Sequence, residues 1–153
     1  MGRFNENVIT KIEQGLQVKL PDPYKRVLLK YPFPPDSDAA YYDFYGDPEV
    51  ILEDNKYYHD NGFNGLPWAA HHFIIGNDGS GEIFFIDLNL SDSPIFKAGL
   101  NSGNAKSIAV QEIAKNIYEF IEQVHARELE FGEEDPADLE ENKKMKKRSS
   151  SWE

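Results

Sequence analysis

Apolar residues near the N-terminus recur at every fourth position, which is the period of one face of an amphipathic helix. The recurring residues are Phe4, Val8, Ile12 and Leu16. This spacing predicts a helix over residues 4–16. Gly15 is predicted to end the helix, because glycine adopts a left-handed backbone conformation without a Cβ clash.

A second helical pattern follows the dipeptide Leu20-Pro21. Its apolar and aromatic residues recur at i, i+3, i+4 and i+7, and they are Tyr24, Val27, Leu28 and Tyr31. Asp22 can accept hydrogen bonds from the free amides of the first turn, and Pro23 has no amide hydrogen to leave unsatisfied there. The helix is predicted to end before Pro32, since a residue that precedes proline avoids the helical conformation.

Short apolar runs in the middle of the chain predict strands, because turn-forming residues bound them. The predicted strands cover residues 48–54, about 71–75, 82–88 and about 94–98, and residues 36–47 and 55–67 are expected to be irregular. From Ser107 to about residue 126, apolar residues at spacings of three and four predict a long helix that Ser107 could cap.

This order of elements predicts an α+β fold. Since short turns join the strands, we expect a mostly antiparallel sheet of about four to six strands, with two N-terminal helices and a long C-terminal helix packed against it. The length of 153 residues suits one domain, which we place at residues 1–130. Residues 131–153 contain few apolar side chains and blocks of opposite charge, so we expect this charged tail to be disordered or frayed.

The chain has no cysteine and a formal net charge of −11. Disulfides, thiolate metal sites and cysteine nucleophiles are thereby excluded. Without a signal sequence or an apolar run of about 20 residues, a cytoplasmic protein that does not span a membrane is expected. The negative charge should repel nucleic acid and anionic membranes, and it favours a basic protein as partner. The alternative is that the acidity only keeps the protein soluble.

The segment FIIGNDGSGEIFFIDL, residues 73–88, holds glycines between two apolar runs. A Walker-type phosphate loop needs a lysine, and a dinucleotide-binding loop needs a following helix, where a strand is predicted here. An EF-hand that begins at Asp78 would need glycine and glutamate where the chain has Ile83 and Asn89. We therefore interpret residues 77–81 as a hairpin loop with glycines at positions that need a positive φ, and predict no cofactor.

The histidines and Asp87 are the remaining candidates for chemistry. His71 and His72 are adjacent in a predicted strand, where they would point to opposite faces, so a shared metal ion is not expected. Asp87 follows an apolar run and could be a general acid or base with a shifted pKa, or it could bind the amides of the following turn. A small hydrolase that pairs Asp87 with a histidine is one alternative, but no catalytic residue, metal site or enzyme activity is predicted.

Residues 36–60 combine eight acidic residues and five tyrosines with a single lysine. Tyrosines anchor protein interfaces at a low entropy cost, and acidic residues steer a basic partner. The predicted partner-binding residues are Asp36, Asp38, Tyr41, Tyr42, Asp43, Tyr45, Asp47, Tyr57 and Tyr58. The alternative is that the tyrosines pack over the sheet while the acids face water.

Three separated segments together resemble the SUKH superfamily, the domain of fungal cell-wall-regulator-like proteins and bacterial immunity proteins. They are IEQGLQVKLPDPYKRVLLKY (residues 12–31), LPWAAHHFIIGNDGSGEIFFIDL (residues 66–88), and DSPIFKAG followed by IAVQEIAKNIYEFIEQ. The resemblance covers residues 5–126. It assigns a structural role to Leu20, Pro21, Tyr24, Gly76, Gly79, Gly81 and Asp87.

The resemblance implies an α+β domain with no established enzyme activity. It implies an immunity-type protein that neutralises a cognate bacterial toxin, such as a basic nuclease, by direct contact. The alternative is a regulatory module that binds an endogenous protein. Members of the family usually carry Asn-Gly or Gly-Gly after the second helix, where this chain has YPFPPD, so the segment that follows is expected to differ. The pattern does not predict an oligomeric state.

Overall fold

The computed structural model describes residues 3–101 and 107–132. The helices are α1 (Glu6–Leu16), α2 (Asp22–Leu29), α3 (Pro48–Asn61) and α4 (Ile117–Gly132), with a π-turn at Ala39–Asp43. The strands are β1 (His72–Asn77), β2 (Ile83–Asp87), β3 (Ile95–Leu100) and β4 (Ile108–Ala114).

The chain divides into two compact units, Met1–Phe120 and Ile121–Glu153. The first unit contains the sheet, helices α1 to α3 and the first turn of α4. The described part of the second unit is the remainder of α4. Apart from residues 131 and 132, which belong to α4, the predicted charged tail lies outside the described residues. The predicted single domain over residues 1–130 stays a prediction.

The four strands form one sheet in the order β1-β2-β3-β4, and each pairs antiparallel with its neighbour in sequence. The predicted α+β fold with a mostly antiparallel sheet is therefore confirmed. In the β1–β2 hairpin, Asn77 pairs with Ile83, and the amide of Asp78 donates to the carbonyl oxygen of Glu82 at 3.0 Å. The loop between the paired residues thus covers residues 78–82, one position later than predicted.

Helix α1 forms where the spacing predicts it, but its predicted end at Gly15 is wrong. Asn5 caps the helix, since its Oδ1 accepts a hydrogen bond from the Val8 amide at 2.9 Å. Gly15 lies within the helix, and Gln17 takes the left-handed conformation that ends it, at φ 57°. A Cβ at Gly15 would lie 3.1 Å from Cδ2 of Leu52, so the glycine serves a close approach to α3.

Helix α2 begins at Asp22, as predicted, but the residue before the helix, Pro21, makes no side-chain cap. Pro23 lies in the first turn, where its missing amide hydrogen costs nothing. The helix ends at Leu29, ahead of Pro32.

The strand predicted at residues 48–54 is wrong, because this segment is the first half of α3. Asp47 Oδ1 accepts a hydrogen bond from the Glu49 amide at 3.0 Å, and Pro48 occupies the first helical position. These two residues start a helix. Ile51 and Asn55 are the buried residues of α3 and lie one turn apart, which is a helical period.

The helix predicted from Ser107 to about residue 126 is also wrong in its first part. Residues Ile108–Ala114 form strand β4, which pairs with β3, and α4 begins only at Ile117. The cap is Asn116, whose Oδ1 accepts from the Glu119 amide at 2.9 Å, while the Glu119 side chain accepts from the Lys115 amide at 2.8 Å. Reciprocal bonds of this kind fix a helix N-terminus.

Aromatic rings form much of the core of the first unit. Tyr24 is completely buried, and its ring centroid lies 5.8 Å from that of Phe44 and 5.7 Å from that of Phe73. Burial raises the pKa of Tyr24 far above its usual value, so this hydroxyl stays protonated. Phe84 on the sheet packs edge-on against Phe120 in the first turn of α4, with centroids 5.2 Å apart.

The outer edge of β1 is covered by the segment that contains the π-turn and α3. Asn55 is 1% exposed, and its Oδ1 accepts from the Ile74 amide at 2.8 Å while its Nδ2 donates to the Ile74 carbonyl at 3.0 Å. Its Nδ2 also donates to the Ile51 carbonyl at 2.9 Å. The Tyr45 amide donates to the Ile75 carbonyl at 2.8 Å. Hydrogen bonds from the Asn55 side chain and the Tyr45 amide thus take the place that a fifth strand would have at this edge.

We predict that Asn55→Ala lowers the free energy of unfolding by about 2–4 kcal/mol, because it leaves buried backbone groups of Ile74 without a partner. Urea denaturation followed by circular dichroism measures this loss. Asn61→Ala is the matched control, since Asn61 Nδ2 also donates to a carbonyl four residues back on α3 but is exposed. It should cost less than about 0.5 kcal/mol. Equal losses would contradict the role given to Asn55.

Gly76 allows the π-turn to lie against β1. A Cβ at this position would collide with the backbone carbonyl oxygens of Tyr42 and Asp43, which cannot rotate away. Gly99 offers a contrast on the same sheet, because a Cβ there would meet only the flexible side chain of Glu82, at 2.7 Å.

Gly76→Ala should therefore lower the free energy of unfolding by at least about 2 kcal/mol, as overpacking against a fixed backbone does. Gly99→Ala should cost less than about 1 kcal/mol, since the displaced Glu82 carboxylate loses only a surface ion pair with Lys97. Thermal denaturation of both variants measures the difference. Two similar melting temperatures would show that the π-turn can move away from Gly76.

Candidate functional site

A groove of about 390 Å³ opens beside the π-turn. Ten residues line it: Arg3, Pro35, Asp36, Ser37, Asp38, Ala40, Tyr41, Tyr45, Asp47 and Val50. The groove brings together five of the nine residues predicted to bind a partner. The five lining residues that the sequence did not indicate are Arg3, Pro35, Ser37, Ala40 and Val50. Arg3 meets the others only because the chain folds back.

The rim of the groove that carries Asp36 and Asp38 is built by a turn that contains Pro34 and Pro35. Ser37 donates its amide to the Pro34 carbonyl at 3.0 Å and its hydroxyl to the same carbonyl at 2.7 Å. The Ser37 hydroxyl oxygen also accepts from the Ala40 amide at 3.1 Å. These bonds fix the backbone on both sides of Asp36 and Asp38, whose own side chains are exposed.

The π-turn directs Tyr41 and Tyr42 outward because residues on both sides of them are buried. Ala39, Ala40 and Phe44 lie in the core, and the Phe44 amide donates to the Ala39 carbonyl at 2.8 Å. Tyr41 is 69% exposed and Tyr42 39% exposed, with their rings edge-to-face at 4.7 Å. The hairpin loop lies beside Tyr42, since a Cβ at Gly79 would be 3.9 Å from its ring.

The groove is predominantly acidic. Asp36, Asp38 and Asp47 contribute three carboxylates, and Arg3 is the only cation among the described lining residues. Arg3 lies 3.4 Å from an oxygen of Asp47, and both side chains are nearly half exposed, so this ion pair is weak. The charges of Asp36 and Asp38 have no such partner among the described residues. The groove therefore carries uncompensated negative charge.

Tyr45 lies at the base of the groove and is only 3% exposed. Its hydroxyl donates to Asp54 and accepts from Nδ2 of Asn77 at 2.8 Å. Burial, followed by the hydrogen bond to Asp54, raises the pKa of Tyr45 far above its usual value. The prediction of a partner-binding ring at Tyr45 does not agree with this burial, because the ring belongs to the core.

The other predicted residues lie elsewhere. Asp43 is half-buried in the π-turn, and its carbonyl faces Gly76. Tyr57 and Tyr58 lie on α3 and do not line the groove. Tyr57 is 59% exposed, whereas Tyr58 is half-buried beside Trp68, with ring centroids 6.2 Å apart.

The prediction that His71 and His72 point to opposite faces of a strand is wrong. His71 lies in the turn before β1 and only His72 belongs to the strand, so the two rings do not point to opposite faces. Their centroids are 4.6 Å apart, and His71 Nε2 lies 3.8 Å from Asp87 Oδ2. Burial, followed by the neighbouring His71, lowers the pKa of His72. The Asp87 Oδ1 accepts from the Asn89 amide at 2.9 Å, within the turn after β2.

In the glycine-rich hairpin, the Asp78 carboxylate accepts hydrogen bonds from residues of the same loop. Asp78 Oδ1 accepts from the Ser80 amide and hydroxyl, both at 2.9 Å, and from the Glu82 amide at 3.2 Å. Although desolvation acts in the opposite direction, these bonds lower the pKa of Asp78. Gly79 and Gly81 have φ values of 83° and 112°, so the predicted positive φ is confirmed at both.

Of the residues with implied structural roles near α2, Leu20 and Tyr24 are buried and Pro21 is half-buried. Leu20 is in the core, and its amide donates to a side-chain oxygen of Glu13 at 2.8 Å. Pro21 immediately precedes α2, and Tyr24 faces the sheet from its first turn. In the part of the chain that the structure describes, no helix has the length and apolar character needed to cross a membrane.

Comparison with known proteins gives a family model match over residues 4–123, to the SMI1 / KNR4 family (SUKH-1). No curated protein and no solved structure matches the chain. The match includes the sheet, helices α1 to α3 and the start of α4, and it confirms the resemblance that the three sequence segments indicated. The chain belongs to the SMI1 / KNR4 family (SUKH-1).

Proposed function

We propose that the protein is an immunity-type binding protein that acts in the cytoplasm and neutralises a cognate bacterial toxin by direct contact. The observation that carries the proposal is the acidic groove with Tyr41 and Tyr42 beside it. Membership of a SUKH family supports a role in protein–protein interaction, and the family is not a known enzyme family.

The charge of the groove favours a basic partner. Asp36, Asp38 and Asp47 add to a formal net charge of −11, and a basic nuclease toxin would carry the opposite charge at its nucleic-acid site. Complementary charge raises the association rate by steering the encounter. When the acidic surface of the groove covers the nucleic-acid site of the toxin, it excludes the toxin's nucleic acid substrate.

The exposed tyrosines supply contact area. Tyr41 and Tyr42 hold each other edge-to-face, so each loses little side-chain freedom when a partner covers it. The π-turn that carries them is fixed by Gly76 and by the Tyr45 amide. A surface that is rigid before binding has a smaller entropic cost to overcome.

The proposed function requires a toxin gene beside the gene for this chain, and its product is the partner to test. Asp36→Asn, Asp38→Asn and Asp47→Asn combined should slow association with that toxin domain. We expect roughly a tenfold lower association rate at low salt, because steering is lost. The difference should shrink at about 1 M NaCl, where the Debye length is about 3 Å. Asparagine at position 47 still caps α3, so the fold should be unchanged. Surface plasmon resonance at both salt concentrations measures the rates.

The matched control removes the same number of charges elsewhere, through Asp60→Asn, Asp92→Asn and Glu112→Gln. These three side chains are exposed and do not line the groove. The control should change the association rate by less than about threefold, as expected for a change in net charge alone. An equal effect of the two triple variants would contradict the groove as the contact surface, and a wild-type chain that does not bind the toxin domain would contradict the proposed function itself.

Tyr41→Ala should weaken binding of the same toxin domain by about 2 kcal/mol or more, mainly through faster dissociation, if Tyr41 is an anchor. Tyr57→Ala is the control, since Tyr57 is similarly exposed but lies away from the groove on α3. Both variants should keep the stability of the wild type within about 0.5 kcal/mol. Growth rescue of cells that express the toxin gives a second measurement. A larger loss from Tyr57→Ala would place the interface on α3.

A further inference from the structure

His71, His72 and Asp87 converge at the start of β1 and the end of β2. One ligand atom from each residue can be chosen so that all three lie within 4.8 Å of one another. This is the only group of three or more potential metal ligands that the described residues form. The groove that we propose to bind a toxin does not include any of the three residues.

The sheet and its turns hold the three side chains in place. His72 pairs with Asp87 across the β1–β2 ladder, and the Leu88 amide donates to the His71 carbonyl at 2.7 Å. Asp87 uses its Oδ1 to accept from the Asn89 amide, which leaves Oδ2 facing His71. The position of the cluster therefore follows from strand register rather than from flexible surface side chains.

Aromatic neighbours fix the His72 ring. Its centroid lies 4.5 Å from that of Phe85 and 5.3 Å from that of Trp68. The indole Nε1 of Trp68 donates to the His72 carbonyl at 3.2 Å, so backbone and ring are both held. His71 is more exposed and lies in the turn, where its side chain can rotate. With His72 and Asp87 held in place, rotation of His71 can bring the three side chains closer together around an ion.

The geometry points to a surface binding site for a divalent transition-metal ion of the zinc type, formed by the two imidazoles of His71 and His72 and the carboxylate of Asp87. Two nitrogen ligands and one oxygen ligand suit zinc, copper or nickel better than calcium or magnesium, which prefer oxygen alone. Zinc–ligand distances of about 2.0–2.1 Å place tetrahedral ligand atoms about 3.4 Å apart. Rotation of His71 would supply most of the required contraction. The fourth position is left to water.

Isothermal titration of the full, untagged chain with zinc chloride tests the site. We expect one zinc ion per chain at this site. His71→Ala and Asp87→Asn should each weaken binding at least about tenfold, since even outer-shell partners are worth roughly 10- to 100-fold in metal affinity. Asparagine at position 87 retains an oxygen for the Asn89 amide, and circular dichroism checks that each variant is folded. Millimolar magnesium or calcium should not compete.

His59→Ala is the matched control, because His59 is exposed on α3 and belongs to no such group in the described chain. The affinity of the His59→Ala variant for zinc should stay within about twofold of that of the wild type. NMR of the imidazole nitrogens gives an independent readout, in which zinc should shift the His71 and His72 signals but not those of His59. No binding by the wild type, or equal binding by wild type and His71→Ala, would overturn the proposal.

Discussion

Strand β1 lies at the edge of the sheet, and the need to give its outward-facing amides and carbonyls hydrogen-bond partners constrains the rest of the first unit. An unpaired edge leaves backbone amides and carbonyls without partners, and a buried group in that state costs about 1–3 kcal/mol. Asn55 satisfies both polar groups of Ile74, and the Tyr45 amide satisfies the Ile75 carbonyl. These hydrogen bonds hold residues 39–61 against the edge of the sheet. Gly76 makes the approach possible because it has no Cβ to strike the π-turn.

The same segment presents the candidate binding surface. Its inner side buries Phe44, Tyr45 and Ile51, and its outer side exposes Tyr41 and Tyr42. The alternative that tyrosines pack into the core therefore holds for Tyr45, whereas partner binding by the exposed Tyr41 and Tyr42 stays a prediction. Because the π-turn holds an extra residue per turn, two adjacent tyrosines lie outside while the alanines before them and the phenylalanine after them lie inside. Closing the sheet edge and displaying an acidic, aromatic surface are two consequences of one backbone conformation.

Local signals in the sequence were enough to predict the first two helices and the β1–β2 hairpin. The glycines of the hairpin were informative because Gly79 and Gly81 need a positive φ. The apolar run Val50, Ile51 and Leu52 predicts a strand over residues 48–54, whereas the cap formed by Asp47 and Pro48 begins α3 there. The pattern predicts a helix over residues 108–114, where β4 forms, because apolar residues at spacings of three and four continue from β4 into α4.

The groove could be predicted only in part. Its acids and Tyr41 stood out by composition, but Arg3 and Val50 join them through tertiary folding that no local pattern describes. The burial of Tyr45 depends on its hydrogen bonds to Asp54 and Asn77, which come from two other elements. His71 and Asp87 are separated in sequence and meet only through the strand register.

Hydrogen–deuterium exchange of the chain alone and with the proposed toxin partner tests whether the segment that closes the sheet edge also forms the binding surface. Bound toxin should slow exchange in residues 36–47, while exchange in β3 and β4 should stay unchanged. In the free chain, the amides of Tyr45 and Ile74 should already exchange slowly, because each is hydrogen-bonded. Protection on β4 with unchanged exchange in residues 36–47 would show that this segment does not form the binding surface.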